Sequence, residues 1–308
     1  MSSPTIRRSR LHRAVASSSK SIRRRGFTII TSAGKGRPSR CGCCVIFSRS
    51  PVLNVVIDHS PQSVARYLDG YAIVAVDVIR ATTTLVTALA AGRRCYVACS
   101  AESARACAEG LADALLAGEL GGDLPEGFDL TNSPAALALR GDVERPLVLV
   151  SSSGTRLLHN ARQCAHAYLA CLRNYEAVAE HIAGRHERIA VIGAGTRGEF
   201  REEDQLCCAW ITARLMGRGY RVADAETERL VARWRDAPAE ACLVSRSVDY
   251  LRRTDQIHDL AFVLSHVNDL ALVAMLREDE VVCAVRPASR IPAHSDAVPL
   301  AQGEPGLA

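Results

Sequence analysis

The stretch Ala72-Ile73-Val74-Ala75-Val76-Asp77-Val78-Ile79-Arg80-Ala81-Thr82-Thr83-Thr84 decides the fold class. Its apolar run, Ile73 to Val76, predicts a buried strand. The run ends on Asp77, then Arg80, then three hydroxyls, and a helical stripe of Leu85, Ala88 and Leu89 follows. A carboxylate, a guanidinium, hydroxyls and the free N–H groups of a helix start therefore meet where a strand stops. Open α/β sheets place their ligands there. A carboxylate suits a divalent cation, and the guanidinium fork suits a phosphate, sulfonate or carboxylate. The pairing predicts an anionic substrate held with a metal.

The same alternation extends along the chain. Val52–Ile57, Arg94–Ala98, Leu147–Val150, Ala167–Leu172, Arg188–Ile192 and Val281–Val285 read as strands. Helical patterns cover Thr84–Ala91, Glu102–Ala117, Ala135–Leu139, Arg156–Gln163, Tyr175–Ala183, Glu203–Met216, Thr227–Trp234 and Asp249–Arg253, and Asp259–Leu264 follows. Gly118–Ser133, rich in Gly and Asp, reads as a loop. The class is α/β: a largely parallel or mixed sheet with helices on both faces. The domain is expected over residues 52–286, with a seam near Gly141–Pro146 between two sub-domains and a loose tail over 287–308.

Residues 1–50 hold twelve Lys or Arg and no acid, so the net charge of +5 describes the tail and not the body. The rest has 26 basic against 33 acidic residues, a mildly acidic balance with no basis for nucleic-acid binding. Residues 1–51 are expected to be a disordered basic tail. Their composition fits a transit-type segment or a basic arm, or else the true start lies at Val52 or Val55. Apolar residues make up 48% and aromatics only 5%, so the core must be built of Ala, Val, Leu and Ile. There is no run of about 18 apolar residues, so no membrane span is expected. The twelve cysteines include no pair of C-x-x-C motifs and lie mostly in apolar segments. They read as reduced thiols of a cytoplasmic protein.

Five polar clusters follow or interrupt the strands. They are Asp77–Thr84; Gly118-Glu119 with Gly127–Pro134; Ser151–Arg156; Asn174; and Gly193–Asp204. Each has a plainer reading as well. Asp77 suits a helix cap, Asn132-Ser133-Pro134 suits a turn and cap, and Glu199, Glu203 and Asp204 suit the positive end of a helix. Gly193-x-Gly195-x-x-Gly198 meets the dinucleotide spacing, but the acids after it would repel a pyrophosphate. Those acids suit Mg²⁺, an ion that takes oxygen ligands and keeps several waters. Asp77 lacks the second carboxylate of a D-x-D phosphatase motif, no P-loop is present, and the histidines form no metal-ligand pair.

Taken in order, D-V-I-R-A-T-T-T (77–84), G-E (118–119), G-F-D-L-T-N-S-P (127–134), S-S-G-T-R (152–156) and G-E-F-R-E-E-D (198–204) resemble the 2-phosphosulfolactate phosphatase family, over roughly Val55–Val285. The resemblance implies an α/β, Mg²⁺-dependent phosphatase that converts phosphosulfolactate to sulfolactate and phosphate in coenzyme M biosynthesis, and a homodimer. It implies catalytic roles for Asp77, Arg80, Glu119 and Asp204, and substrate contacts from Thr82, Thr83, Thr84, Asn132, Ser133, Ser153, Gly154 and Thr155; Asn174, by its place just after a strand, is a further candidate for a substrate contact. Metal contacts would come from Asp77, Glu199, Glu203, Asp204 and Asp259. Ser153 stands where the family has Asn, and Thr131 where it has Gly. A shorter hydroxyl in place of an amide bears on which phosphoester is taken. A phosphatase of a different small organic phosphate, or a non-catalytic module that binds an anionic metabolite, are the alternatives.

Overall fold

Ten strands form one sheet, and the predicted strand is one of its interior strands, fourth from one edge. The structure is a computed structural model describing residues 52–196 and 198–285, together with an antiparallel pair of short strands, Ser21–Arg24 and Phe27–Ile30. The pair belongs to a separate unit, Met1–Val52; the domain is the unit from Leu53 onward. The other expectations for residues 1–51, and those for 287–308, lie outside the described residues.

In chain order the domain comprises β1 (Asn54–His59), β2 (Ala72–Val76), α1 (Ala81–Ala90), β3 (Cys95–Ala98), α2 (Ala101–Glu109), β4 (Leu115–Gly118), α3 (Pro134–Ala138), β5 (Leu147–Val150), α4 (Gly154–Ala161), β6 (Ala167–Ala170), α5 (Tyr175–Ile182), β7 (Arg188–Gly193), α6 (Glu202–Gly217), β8 (Arg221–Val222), α7 (Ala225–Trp234), α8 (Arg246–Arg253), α9 (Ile257–Ser265), β9 (Val273–Arg277) and β10 (Glu280–Val285). The strand order is β8-β1-β7-β2-β6-β9-β10-β3-β5-β4. The strands are parallel within β8-β1-β7-β2-β6 and within β3-β5-β4, and the antiparallel hairpin β9–β10 joins the two blocks. The sheet is therefore mixed.

Alternation along the strands explains the layers. Ile73 and Ala75 of β2 face one core, and Val74 and Val76 face another. The first core also takes Leu147 and Leu149 of β5, Leu115 of β4, and the apolar residues of α1 and α4. These two helices are thus packed between the blocks. Helices α5, α6 and α7 cover the outer face of the first block, and α2 covers that of the second. The position of α1 explains its composition. Ala81 to Leu89 are all buried, so the helix carries no charge. Its threonines can be buried because a helical Thr hydroxyl reaches back to a carbonyl one turn earlier: Thr87 Oγ1 donates to Thr83 O at 2.7 Å.

The blocks run in opposite senses, yet the carboxyl ends of β2 and β5 meet. β5 lies five strands from β2, and twist of roughly 20–25° per strand turns it by on the order of 100–125°. That offsets most of the reversal and brings the starts of α1 and α4 together.

Two expectations need correction. The helix expected over 102–117 ends at Glu109 with Gly110 as its cap, and Leu115–Gly118 is strand β4. A four-residue apolar run looks alike in a helix and a strand, and pairing with β5 decides it. Strand β9 was not expected. The Gly141–Pro146 segment leads into β5 of the same sheet, fastened by the buried Arg93. Its guanidinium donates to Asp142 Oδ1 at 2.8 Å and Arg145 O at 2.6 Å. Among the described residues no helix is long and apolar enough to cross a membrane.

Candidate active site

The carboxyl ends of β1, β2, β4, β5 and β7 open on one cleft of about 1020 Å³. His59 lines it from β1, Asp77 and Arg80 from β2, Glu119 from β4, Ser151–Ser153 from β5, and Gly195, Thr196 and Glu199 from β7. Helix α8 adds Arg246, Tyr250 and Arg253.

Asp77 is held by the turn that starts α1. Its Oδ1 accepts the Ala81 N–H at 3.1 Å, and its own N–H donates to Thr82 Oγ1 at 2.9 Å. Among the described residues Oδ2 accepts no hydrogen bond. Burial, and then the nearby carboxylates Glu119 and Glu203, push the carboxyl up to about 7; the Ala81 N–H and Arg80 pull the other way.

Thr82, Thr83 and Thr84 are buried and do not line the cleft. The Thr82 hydroxyl stands 2.8 Å from the carbonyls of Asp77 and Ala170, and Thr83 Oγ1 donates to Val78 O at 2.7 Å. Thr84 Oγ1 lies 2.7 Å from Asn132 Oδ1, its acceptor, and 3.1 Å from Arg80 O. The three hydroxyls fix the loop that carries Asp77 and Arg80, and they are not free for a substrate. Asn132 does reach the cleft.

Glu119 sits where β4 stops. Oε1 accepts the Ser152 N–H at 2.8 Å; Oε2 accepts the Gly122 N–H at 2.8 Å and the Ser152 hydroxyl at 2.9 Å. It thereby ties the loop after β4 to the loop before α4. Ser151 and Thr155 close that loop: Ser151 N–H donates to Thr155 Oγ1 and Thr155 N–H to Ser151 Oγ, each at 3.0 Å. Thr155 is wholly buried and off the cleft, whereas Ser153 lines it without capping α4. Gly154 packs directly against Asp77.

The acidic loop divides into parts with different surroundings. Asp204 is buried, with Oδ1 accepting the Val78 N–H at 2.8 Å and Oδ2 the Gly195 N–H at 3.3 Å. The Gly195 amide, which a dinucleotide fingerprint would turn toward phosphate, is thus taken by a carboxylate. Gly195 has φ +60, and a Cβ there would meet Glu199 O at 2.6 Å, so only glycine fits this turn. Burial, then Asp77 and Glu203, raise the Asp204 carboxyl well above its usual range. Glu203 is also raised by burial, against hydrogen bonds from Ser245 and Ser247, and its Oε2 is buried with no partner among the described residues. Glu199 lies between two guanidiniums, with Arg201 Nη1 and Arg246 Nη1 each at 2.5 Å.

Asp259 is fully buried and absent from the cleft lining. Oδ2 accepts Arg80 Nη1 at 2.5 Å, and Oδ1 accepts Ser133 Oγ at 2.6 Å and Ala135 N–H at 3.1 Å. With both oxygens filled it positions Arg80 and the start of α3, so the expectation of a metal ligand there is not carried forward. Ser133, which caps α3, is likewise buried off the cleft. Asn174 is a structural tie: its Oδ1 accepts the Cys171 N–H at 3.0 Å, and its Nδ2 donates to Leu169 O and Leu272 O, each at 3.2 Å.

Several cleft residues lie outside the candidates that the sequence offers. His59 ends β1 and Ser60 follows it, as Asp77 follows β2, and that position is the available signal. Ser151, Ser152, Arg156 and Arg201 sit inside the polar clusters at 151–156 and 193–204, next to the candidate residues there. Nothing in the sequence marks Arg246, Tyr250 or Arg253, which reach the cleft only through the placement of α8.

The expected metal set does not form one cage, and among the described residues no three His, Cys, Asp or Glu are grouped to hold an ion. Mg²⁺ needs less, one or two carboxylates with water and substrate phosphate completing its shell. Asp77, with Oδ2 free and carboxylates around it, offers all-oxygen chemistry of that kind beside Glu119, and the orphaned Glu203 Oε2 adds to the uncompensated negative charge.

The profile of the family described as 2-phosphosulpholactate phosphatase matches residues 58–279. A protein of Synechococcus sp. (strain CC9605) named "Probable 2-phosphosulfolactate phosphatase" is 37% identical over 194 residues, 60% of this chain and 80% of its own length. A protein of the same name from Pseudothermotoga lettingae is 32% identical over 64% of this chain and 78% of its own. A third, from Synechococcus sp. (strain RCC307), is 34% identical over 73% and 93%.

Proposed function

The chain belongs to the 2-phosphosulpholactate phosphatase family, and on that premise we propose that it hydrolyses 2-phosphosulfolactate to sulfolactate and inorganic phosphate with Mg²⁺. The observation that carries this reading is the free Asp77 Oδ2 in a cleft that also presents Arg80, Arg156, Arg201, Arg246 and Arg253. Such a cleft attracts a multiply charged anion and offers it guanidinium forks.

Water attacks phosphorus, the bond between phosphorus and the ester oxygen breaks, and the departing oxygen of sulfolactate takes up a proton from solvent, to which the proton accepted from the attacking water is afterwards released. Asp77 would hold Mg²⁺, which when bound would neutralise phosphoryl oxygens and orient the attacking water, while Glu119 keeps the loops after β4 and β5 in place beside it. Asp77 Oδ2 is the acceptor for that water's proton. Arg80, fixed by Asp259, donates to the phosphoryl group. The Gly154 and Arg156 N–H groups at the start of α4, which have no intrahelical carbonyl to reach, donate beside it together with Ser153, the Thr155 N–H being taken by Ser151 Oγ. Asn132, itself held by Thr84, orients the substrate. Asp204 keeps the loops after β2 and β7 in place through its two amide contacts. A homodimer and a cytoplasmic setting belong to this reading; for the second, all nine cysteines of the domain's described residues are free.

The test is phosphate release from 2-phosphosulfolactate and a panel of small phosphoesters, with Mg²⁺ and with chelator. Metal-dependent release from 2-phosphosulfolactate is expected. Binding without release from any ester would turn the assignment to a module that binds an anionic metabolite.

A further inference from the structure

Glu199 is one carboxylate shared between two guanidiniums. Its oxygens sit singly on Arg201 Nη1 and Arg246 Nη1, each at 2.5 Å, and all three side chains line the cleft. They come from three different places: Glu199 from the loop after β7, Arg201 from the cap of α6, and Arg246 from the start of α8. The Arg201 side chain is only 12% exposed, and its Nε is buried with no partner among the described residues. A buried N–H without an acceptor is costly, and a guanidinium is best satisfied by two parallel bonds to one group. Neither arginine receives that from Glu199. Arg80, which also lines the cleft, is by contrast already engaged by Asp259 and Gln256.

We infer that Arg201 and Arg246 form a second anion subsite, separate from the phosphoryl end, in which Glu199 is a resident placeholder and which takes the sulfonate of the substrate. This rests on the phosphatase reading for the identity of the ligand. The argument for a sulfonate is its oxygen count. A carboxylate has two oxygens and can do only what Glu199 already does. A sulfonate has three, enough to satisfy both forks and the orphaned Nε. The substrate's sulfonate enters by displacing the Glu199 carboxylate, so Glu199 also sets the affinity.

The test is calorimetric titration of the whole chain, with Mg²⁺ present, using sulfolactate, lactate and inorganic phosphate as separate ligands. Arg246 is exposed, so Arg246→Gln should fold. It is expected to weaken sulfolactate at least tenfold, about 1.4 kcal/mol, and to leave phosphate within about twofold. The parent chain should bind sulfolactate far more tightly than lactate, and Glu199→Gln should tighten sulfolactate severalfold. Equal weakening of sulfolactate and phosphate by Arg246→Gln, unchanged sulfolactate affinity, or weakening by Glu199→Gln would each overturn the subsite. Absence of sulfolactate binding to the parent chain would also overturn it, whatever the turnover assay gives. Intact binding without turnover would overturn only the phosphatase reading.

Discussion

Gly154 and Asp77 are in direct contact across the meeting point of the two blocks of strands: a Cβ on Gly154 would stand 2.2 Å from Asp77 Oδ2 and 2.5 Å from Ala81 Cβ. The side-chain-free first residue of α4 is what lets the aspartate lie against the amino end of that helix. Gly154→Ala must therefore push Asp77 or α4 aside. Overpacking of this kind costs about 1–3 kcal/mol. Thermal unfolding should show that loss, and phosphate release should fall more steeply than stability because the displaced group is Asp77.

Asp77→Asn keeps the size and the Ala81 contact and removes the negative charge. Loss of a group that takes part in proton transfer costs at least about 10²-fold in kcat. The expected result is that loss with an unchanged or raised melting temperature. Activity within about twofold of the parent would remove Asp77 from the chemistry.

Asp259→Asn strips Arg80 of its counter-charge inside the protein. Breaking a buried ion pair from one side costs about 3–5 kcal/mol. A large fall in melting temperature is expected, with reduced kcat and an unchanged Mg²⁺ concentration for half-maximal activity. A residue that held the ion would instead shift that concentration and be rescued by excess Mg²⁺.

The acid cluster makes metal-free stability depend on pH in an unusual direction. Asp77 sits at about 7 when folded against 3.8 ordinarily, and Glu203 and Asp204 are raised too. Between about pH 4 and pH 7 the folded chain thus holds protons that the unfolded chain has lost, so stability falls as pH rises through this window. Asp142, lowered by Arg140 and Arg93, works at the opposite end, losing its contribution only as pH drops below about 4. Melting curves in chelator should show the midpoint falling between pH 5 and pH 8, with a shallower fall in Asp77→Asn. Mg²⁺ should raise the midpoint more at pH 8 than at pH 5.

The strand–turn–helix at 72–84 was legible because everything that defines it is local: an apolar run, a polar turn and a helix start within thirteen residues. The α/β class followed from repetition of that pattern. Roles within the cleft were less legible because they depend on partners far along the chain. Arg80 and Asp259 are 179 residues apart, and Glu199 and Arg246 are 47 apart. A buried carboxylate that positions an arginine and one that binds a cation have the same letter in the sequence, and only the hydrogen bonds separate them. The same holds for Thr82–Thr84, whose hydroxyls looked available until the carbonyls of Asp77, Val78, Arg80 and Ala170 were in place around them.

Helices α1 and α8 border the same cleft but rest on different apolar clusters. Opening α1 would expose the core shared by both blocks, whereas α8 rests on a small cluster of its own, Val248, Leu251 and Leu260. Its polar ties to the rest of the cleft include Tyr250 OH on Gly122 O at 2.7 Å and Arg246 on Glu199. Elements with few buried contacts open at a fraction of the global unfolding free energy. The amides of α1 should therefore be among the slowest in the domain to exchange with deuterium, while those of α8 exchange through a shallow local excursion. Ligand can then come and go past α8 while the half of the cleft that carries Asp77 stays folded.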